Sequence, residues 1–219
     1  MHEDSTTNIH PESKERMICS VTDLLYRFGV KSITMDDVAK HLSVSKKTLY
    51  RYFKDKNDMV FQCCHHDLEK RKLAFKEIAL LAEDAVQELM MMMDHMQSML
   101  GSINPNLLFD IRKNHPQAWM TYLDFKDHVM MQSIHDNLHR GMLAGLYRSD
   151  IDVRILAKLR LEEVEMGFNP EIFPSAKFHV KDVQMALFDH FMHGITTLKG
   201  QKLIQRYKET ENEKAKQAS

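Results

Sequence analysis

The chain has 219 residues, 43% of them apolar and 28% charged, with a formal net charge of −1. That length fits one large domain or two small ones, with apolar content enough for a real core. Only 7 glycines and 5 prolines argue against a sheet-and-turn fold and for long helices. The cysteines Cys19, Cys63 and Cys64 are odd in number with two adjacent. They make no disulfide framework and fit a reducing cytoplasm. The N-terminal MHEDSTTNIHPESKER lacks the apolar core of a signal peptide. No run of ~18 apolar residues exists to span a membrane.

Residues 1–12 are polar and expected to be disordered. A first helix is predicted from Ser13 to Phe28, with Met17, Val21, Leu24, Leu25 and Phe28 on its buried face and Gly29 as its stop. Thr34 to Lys56 then reads as two short helices around a tight turn. Met35, Val38, Ala39 and Leu42 share one face, and Thr34 with Asp37 approximates a capping box. Ser43-Val44-Ser45 breaks the run, and Ser45 is a good N-cap for a helix that buries Leu49 and Phe53. Lys46, Lys47, Thr48, Tyr50, Arg51 and Tyr52 are left on or near its outer face. These side-chain types reach phosphates and base edges in a major groove, so the segment is a helix-turn-helix candidate. Between Lys31 and Val60, seven basic residues face four acids. A mildly basic module on a neutral body fits nucleic-acid contact without a basic protein overall.

A fourth helix from Asp55–Asp58 to about Leu81 follows without a Gly or Pro linker and reads as a rigid connector. A fifth, from about Asp84 to Leu100, carries Met90 to Met93, Met96 and Met99. Asn104-Pro105 reads as N-cap and first residue of a short sixth helix, and His115-Pro116 opens a seventh through at least His139. The eighth spans about Asp152 to Phe168, the ninth Val180 to Leu198, and a last turn or short helix reaches Tyr207. The tail 209–219 reads as solvated and mobile.

The stretch VAKHLSVSKKTLYRYFKDK resembles the DNA-binding signature of the TetR (tetracycline-repressor-like) family. Val38-Ala39, Val44-Ser45, Thr48-Leu49-Tyr50, Tyr52-Phe53 and Lys56 match in register. Leu42 and Ser43 depart from it, standing where the family has a small residue and Gly. Glycine there permits a left-handed backbone, which serine adopts at higher cost. The resemblance implies an all-α fold: an N-terminal three-helix DNA-binding domain (13–56) and a C-terminal helical effector-binding and dimerisation domain (57–208). It implies phosphate contacts at Thr34, Tyr50 and Lys56. With Ser45, Arg51 and Tyr52 nearby, Lys46, Lys47 and Thr48 at the start of the recognition helix are the base-reading candidates.

For the body, Met93, Met96, Phe109, Trp119 and Tyr122 are the candidate lining of an effector cavity between helices. Methionine adapts to varied apolar ligands, and Trp with Met also suits a cationic group. The bland alternative is that these residues are ordinary core. Leu156, Leu159, Leu187, Phe188, Phe191 and Ile195 exceed what one packed face requires and are candidates for a homodimer interface. Again the alternative is the monomer's own core. Cys63-Cys64-His65-His66 cannot converge on one ion, because adjacent helical residues point about 100° apart. His135 and His139 lack an evident third ligand, so no metal and no cofactor is expected. No Gly-rich phosphate loop, HExxH or GxSxG supports an enzyme. The expected function is a cytoplasmic, homodimeric repressor released from operator DNA by a small hydrophobic effector. Its rivals are a constitutive DNA-binding regulator or activator and, more remotely, an all-helical enzyme.

Overall fold

Helix α1 (Pro11–Phe28) buries Ile18, Val21, Leu24 and Leu25, residues three and four apart that form one face. It stops at Gly29, whose φ of 79° suits a residue without Cβ. The computed structural model of the chain describes residues 11–100 and 103–217. Residues 1–10 of the expected disordered N-terminus lie outside the described residues, and Pro11 and Glu12 already belong to α1.

α2 (Met35–His41) and α3 (Lys46–Tyr52) are the two short helices predicted for the helix-turn-helix. Asp55 caps α4 (Lys56–Leu81) by accepting from the Asp58 amide. α4 runs unbroken out of the N-terminal module and packs on α1 and on α7 (Pro116–Asp124). One hydrophobic core joins α1, α2, α3 and the first half of α4, with Leu107 and Ala118 reaching in from α6 (Leu107–Asn114) and α7. A second core joins α5 (Ala85–Leu100), α8 (Met131–Leu143), α9 (Val153–Gly167), α10 (Val180–Ile195) and α11 (Leu198–Gln217). The described residues contain no strand, only an isolated bridge between Tyr147 and Thr196. No helix among them is long and apolar enough to cross a membrane.

Several boundaries differ from the sequence reading, among them the end of the ninth predicted helix, which stops at Ile195 rather than Leu198. Asn104-Pro105 forms a turn before α6 rather than its first residues: the Asn104 side chain accepts from the Asn106 amide, and the Leu107 amide donates to the Asn104 carbonyl. The long seventh helix is divided by a π-helical segment, Phe125–Met130, one wide turn that no 3.6-residue pattern signals. The expected mobile tail is helical through Gln217, as a continuation of α11; residues 218 and 219 lie outside the described residues.

Candidate nucleic-acid interface and internal cavity

The turn between α2 and α3 is a Schellman closure. The Ser43 amide donates to the Lys40 carbonyl at 3.1 Å and the Val44 amide to the Ala39 carbonyl at 3.0 Å. That pattern needs a left-handed residue just past the helix end, and Ser43 supplies it with φ of 54°. Ser45 then caps α3: its hydroxyl accepts from the Thr48 amide at 3.0 Å and shares a 2.8 Å hydrogen bond with the Thr48 hydroxyl. Leu49 and Phe53 point inward and are wholly buried, which fixes the rotation of α3. The exposed residues are therefore Ser45, Lys46, Lys47, Tyr50 and Arg51, with Tyr50 51% accessible despite its ring.

Several predicted contacts have partners within the chain or are partly covered. Thr48 is half-buried, and Tyr52 packs against the first core. Lys46 pairs with Asp36 of α2 at 2.7 Å. The Thr34 amide and hydroxyl both donate to Asp37, at 2.9 and 2.6 Å, and these bonds hold the Asp37 carboxyl below its ordinary range. The capping box thus engages the Thr34 and Asp37 amides, two of the donors at the start of α2. Lys56 is half-buried at the start of α4; burial lowers its pKa, against the charges of Asp110 and Asp37.

Inside the body lies a cavity of about 220 Å³ with a mostly apolar wall. Thr22, Leu25 and Tyr26 of α1 contribute to it, as do Val60, Cys63, Asp67 and Arg71 of α4 and Met92, Met93, Met96 and Met99 of α5. Tyr122, Phe125 and Met130 close it from α7 and the π segment. Of the predicted lining, Met93, Met96 and Tyr122 are present, but Phe109 and Trp119 are not. The Trp119 indole stacks on the Tyr122 ring, centroids 5.0 Å apart, and carries the Arg112 guanidinium over it at 5.5 Å. Those partners occupy the ring, so Trp119 stands behind the wall rather than in it.

The polar residues of the wall were not anticipated. Arg71 donates to Asp67 at 2.6 Å and to the Tyr26 hydroxyl at 2.8 Å, tying α4 to α1. Burial raises the Tyr26 phenol, keeping it a neutral hydroxyl. Asp67 and Arg71 are four apart on a helix, and sequence alone makes such a pair an ordinary surface ion pair. Arg160 of α9 also lines the cavity, and burial lowers its pKa. The available signal was a charge in the Leu156, Arg160, Val164 stripe. Burial pushes the Cys63 and Cys64 thiols up to about 12, so neither is a thiolate at neutral pH. Among the described residues no three of His, Cys, Asp and Glu are placed to hold a metal ion.

The predicted dimer face is divided. Phe188, Phe191 and Ile195 are buried in the second core of the single chain, because α10 packs on α5 and α9. Leu156 and Leu187 are half-buried, and Leu159 is 47% exposed beside Ile155 at 63%.

Residues 22–63 match the family model described as bacterial regulatory proteins, tetR family. An HTH-type transcriptional regulator of Staphylococcus aureus (strain bovine RF122 / ET3-1) is 37% identical over 67 residues, 31% of this chain and 36% of that protein. The match therefore spans about a third of the length of such relatives. A TetR-family transcriptional regulator from Agrobacterium tumefaciens shares the fold, with a TM-score of 0.71 at 14% identity over 85% of this chain and 100% of that one. A transcriptional regulator from Saccharomonospora viridis, solved in complex with choline, has a TM-score of 0.63 at 19% identity over 85% of this chain and 98% of that one.

Proposed function

The chain belongs to the TetR family of bacterial regulatory proteins through its N-terminal module, and on that premise we propose that it is a cytoplasmic homodimer that represses transcription and leaves its operator when a small hydrophobic molecule fills the body cavity. The observation that carries this reading is the sharing of walls. The cavity is bounded by α1 and α4, and the same helices form the core on which α3 is seated. A ligand that spreads α1 from α4 changes the angle at which α3 is presented. Its effect is a shift between two populations, one matched to the operator and one not. That a structurally similar regulator holds choline supports small-molecule binding by this architecture. The role asked of the chain is recognition, with no catalytic step.

On α3, Lys47 and Tyr50 are the proposed principal contacts, with Ser45, Lys46, Thr48 and Arg51 around them. Operator fragments selected from genomic DNA by the purified protein provide the test. Lys47→Ala and Tyr50→Ala should each weaken binding at least tenfold with unchanged helical content. Lys56→Ala should weaken it similarly on all sequences and reduce the salt slope by about 1. Wild-type binding by all three variants would refute the assignment of α3.

A further inference from the structure

The fully charged residues on the cavity wall are Asp67, Arg71 and Arg160, and they are not equivalent. Asp67 neutralises Arg71, whose remaining partner is the Tyr26 hydroxyl. Arg160 forms a looser ion pair with Glu163, three residues on in the same helix. Its side chain is only 7% exposed, and its guanidinium lies over the rings of Phe188 and Phe191, at 5.4 and 5.6 Å. Its Nη1 is buried without a hydrogen-bond acceptor. Nη1 faces Glu163 Oε2 at 3.6 Å, an ion pair too long for a hydrogen bond, and neither atom has another partner. Buried polar groups almost always make hydrogen bonds, so a guanidinium held by charge alone keeps donor capacity to spare.

Resting on the reading that the cavity takes a ligand, we infer that this ligand is an amphiphile with an acidic head and an extended or flat apolar body, and that Arg160 holds the head. The planar fork of a guanidinium matches a carboxylate in two parallel bonds. Glu163 does not line the cavity, so the guanidinium stands between its charge and the head. The body of the ligand meets Met92, Met93, Met96 and Met99, thioether chains that reshape around an alkyl or aryl group. A quaternary amine fits poorly, because the acid on the wall, Asp67, is already taken by Arg71.

The test is a calorimetric titration of the full chain with three matched series: straight-chain carboxylates from hexanoate to dodecanoate, the corresponding alcohols, and the alkyltrimethylammonium ions. The best carboxylate should bind at least tenfold tighter than its alcohol and its ammonium counterpart. Arg160→Met, which keeps the packing on the two phenylalanines, should bring carboxylate and alcohol within about twofold while alcohol binding stays as it was. Glu163→Gln, which removes the competing carboxylate, should tighten carboxylate binding severalfold. If Arg160 and Glu163 are only an internal ion pair, Glu163→Gln changes stability and leaves the head-group preference untouched. That outcome overturns the inference. So does a wild-type protein that binds alcohols or ammonium ions as well as carboxylates, or binds none of the three, and this arm needs no variant to fold. Operator release separates the two readings. Alcohols that release DNA without any carboxylate advantage refute only the role of Arg160. Carboxylates held by Arg160 with no effect on operator affinity refute the effector mechanism instead.

Discussion

Ser43 holds a φ of 54° at the corner of the helix-turn-helix, where Leu42 ends α2 and Ser45 begins α3. A Cβ in that region costs about 1–2 kcal/mol relative to glycine, offset in part by the extra freedom glycine gives the unfolded chain. Ser43→Gly is therefore expected to raise stability by about 0.5–1 kcal/mol, seen as an upward shift of the denaturation midpoint with unchanged slope. His115, between α6 and α7, is buried and its Nδ1 has no partner. Burial first and the Lys56 charge second hold its pKa below the ordinary 6.5, against the pull of Asp110. A lowered imidazole is neutral in the fold and takes its proton more readily in the unfolded chain. Its contribution is complete above the unfolded value of 6.5 and is lost as pH falls from there toward the folded value. Urea denaturation between about pH 7.5 and about pH 5.5 should show stability falling with acid, and less steeply for His115→Gln than for the wild type.

At the scale of the element, α8 and the turn after it approach closely at Gly141. A Cβ on Gly141 would lie 2.0 Å from the Tyr147 ring. That ring cannot retreat cheaply, since its hydroxyl donates to the Ala85 carbonyl at 2.8 Å and to Asn137 at 3.0 Å. Gly141→Ala should cost about 1–3 kcal/mol, measurable as a fall in Tm that reaches the whole second core. Elements of this kind show what sequence can and cannot specify. The cap at Ser45, the stop at Gly29 and the inward face of α3 were legible because each rests on residues within one turn. Ser43 was legible as a costly position for the same local reason. Periodicity says that a face is buried but not against what. Phe188, Phe191 and Ile195 were apolar surplus in the pattern and proved to be this chain's own core. Trp119 had the right character for a cavity mouth, yet Tyr122 and Arg112 claim its ring. Arg160 and the Tyr26–Arg71 link needed the tertiary meeting of distant helices to become visible.

For the whole molecule, the proposed dimer must use what the single chain leaves uncovered. On α9 that is Ile155 and Leu159, with half-buried Leu156 beside them and Leu187 on α10. Leu159→Glu should shift the protein toward monomers in sedimentation at micromolar concentration and weaken operator binding, with the helical content intact. Phe191→Asp should behave otherwise: at 4% exposure the carboxylate is forced into an apolar core and the body unfolds. A wild type that sediments as a monomer would sink the dimer proposal.

Under the proposed mechanism, the common wall of cavity and N-terminal module has a thermodynamic consequence that runs in both directions. Whatever factor a bound ligand takes from operator affinity, bound operator must take from ligand affinity, because the two routes around the cycle end in the same state. A promoter region carrying the site would then act as an effector of the cavity, so that protein seated on DNA responds to a higher ligand concentration than protein free in solution.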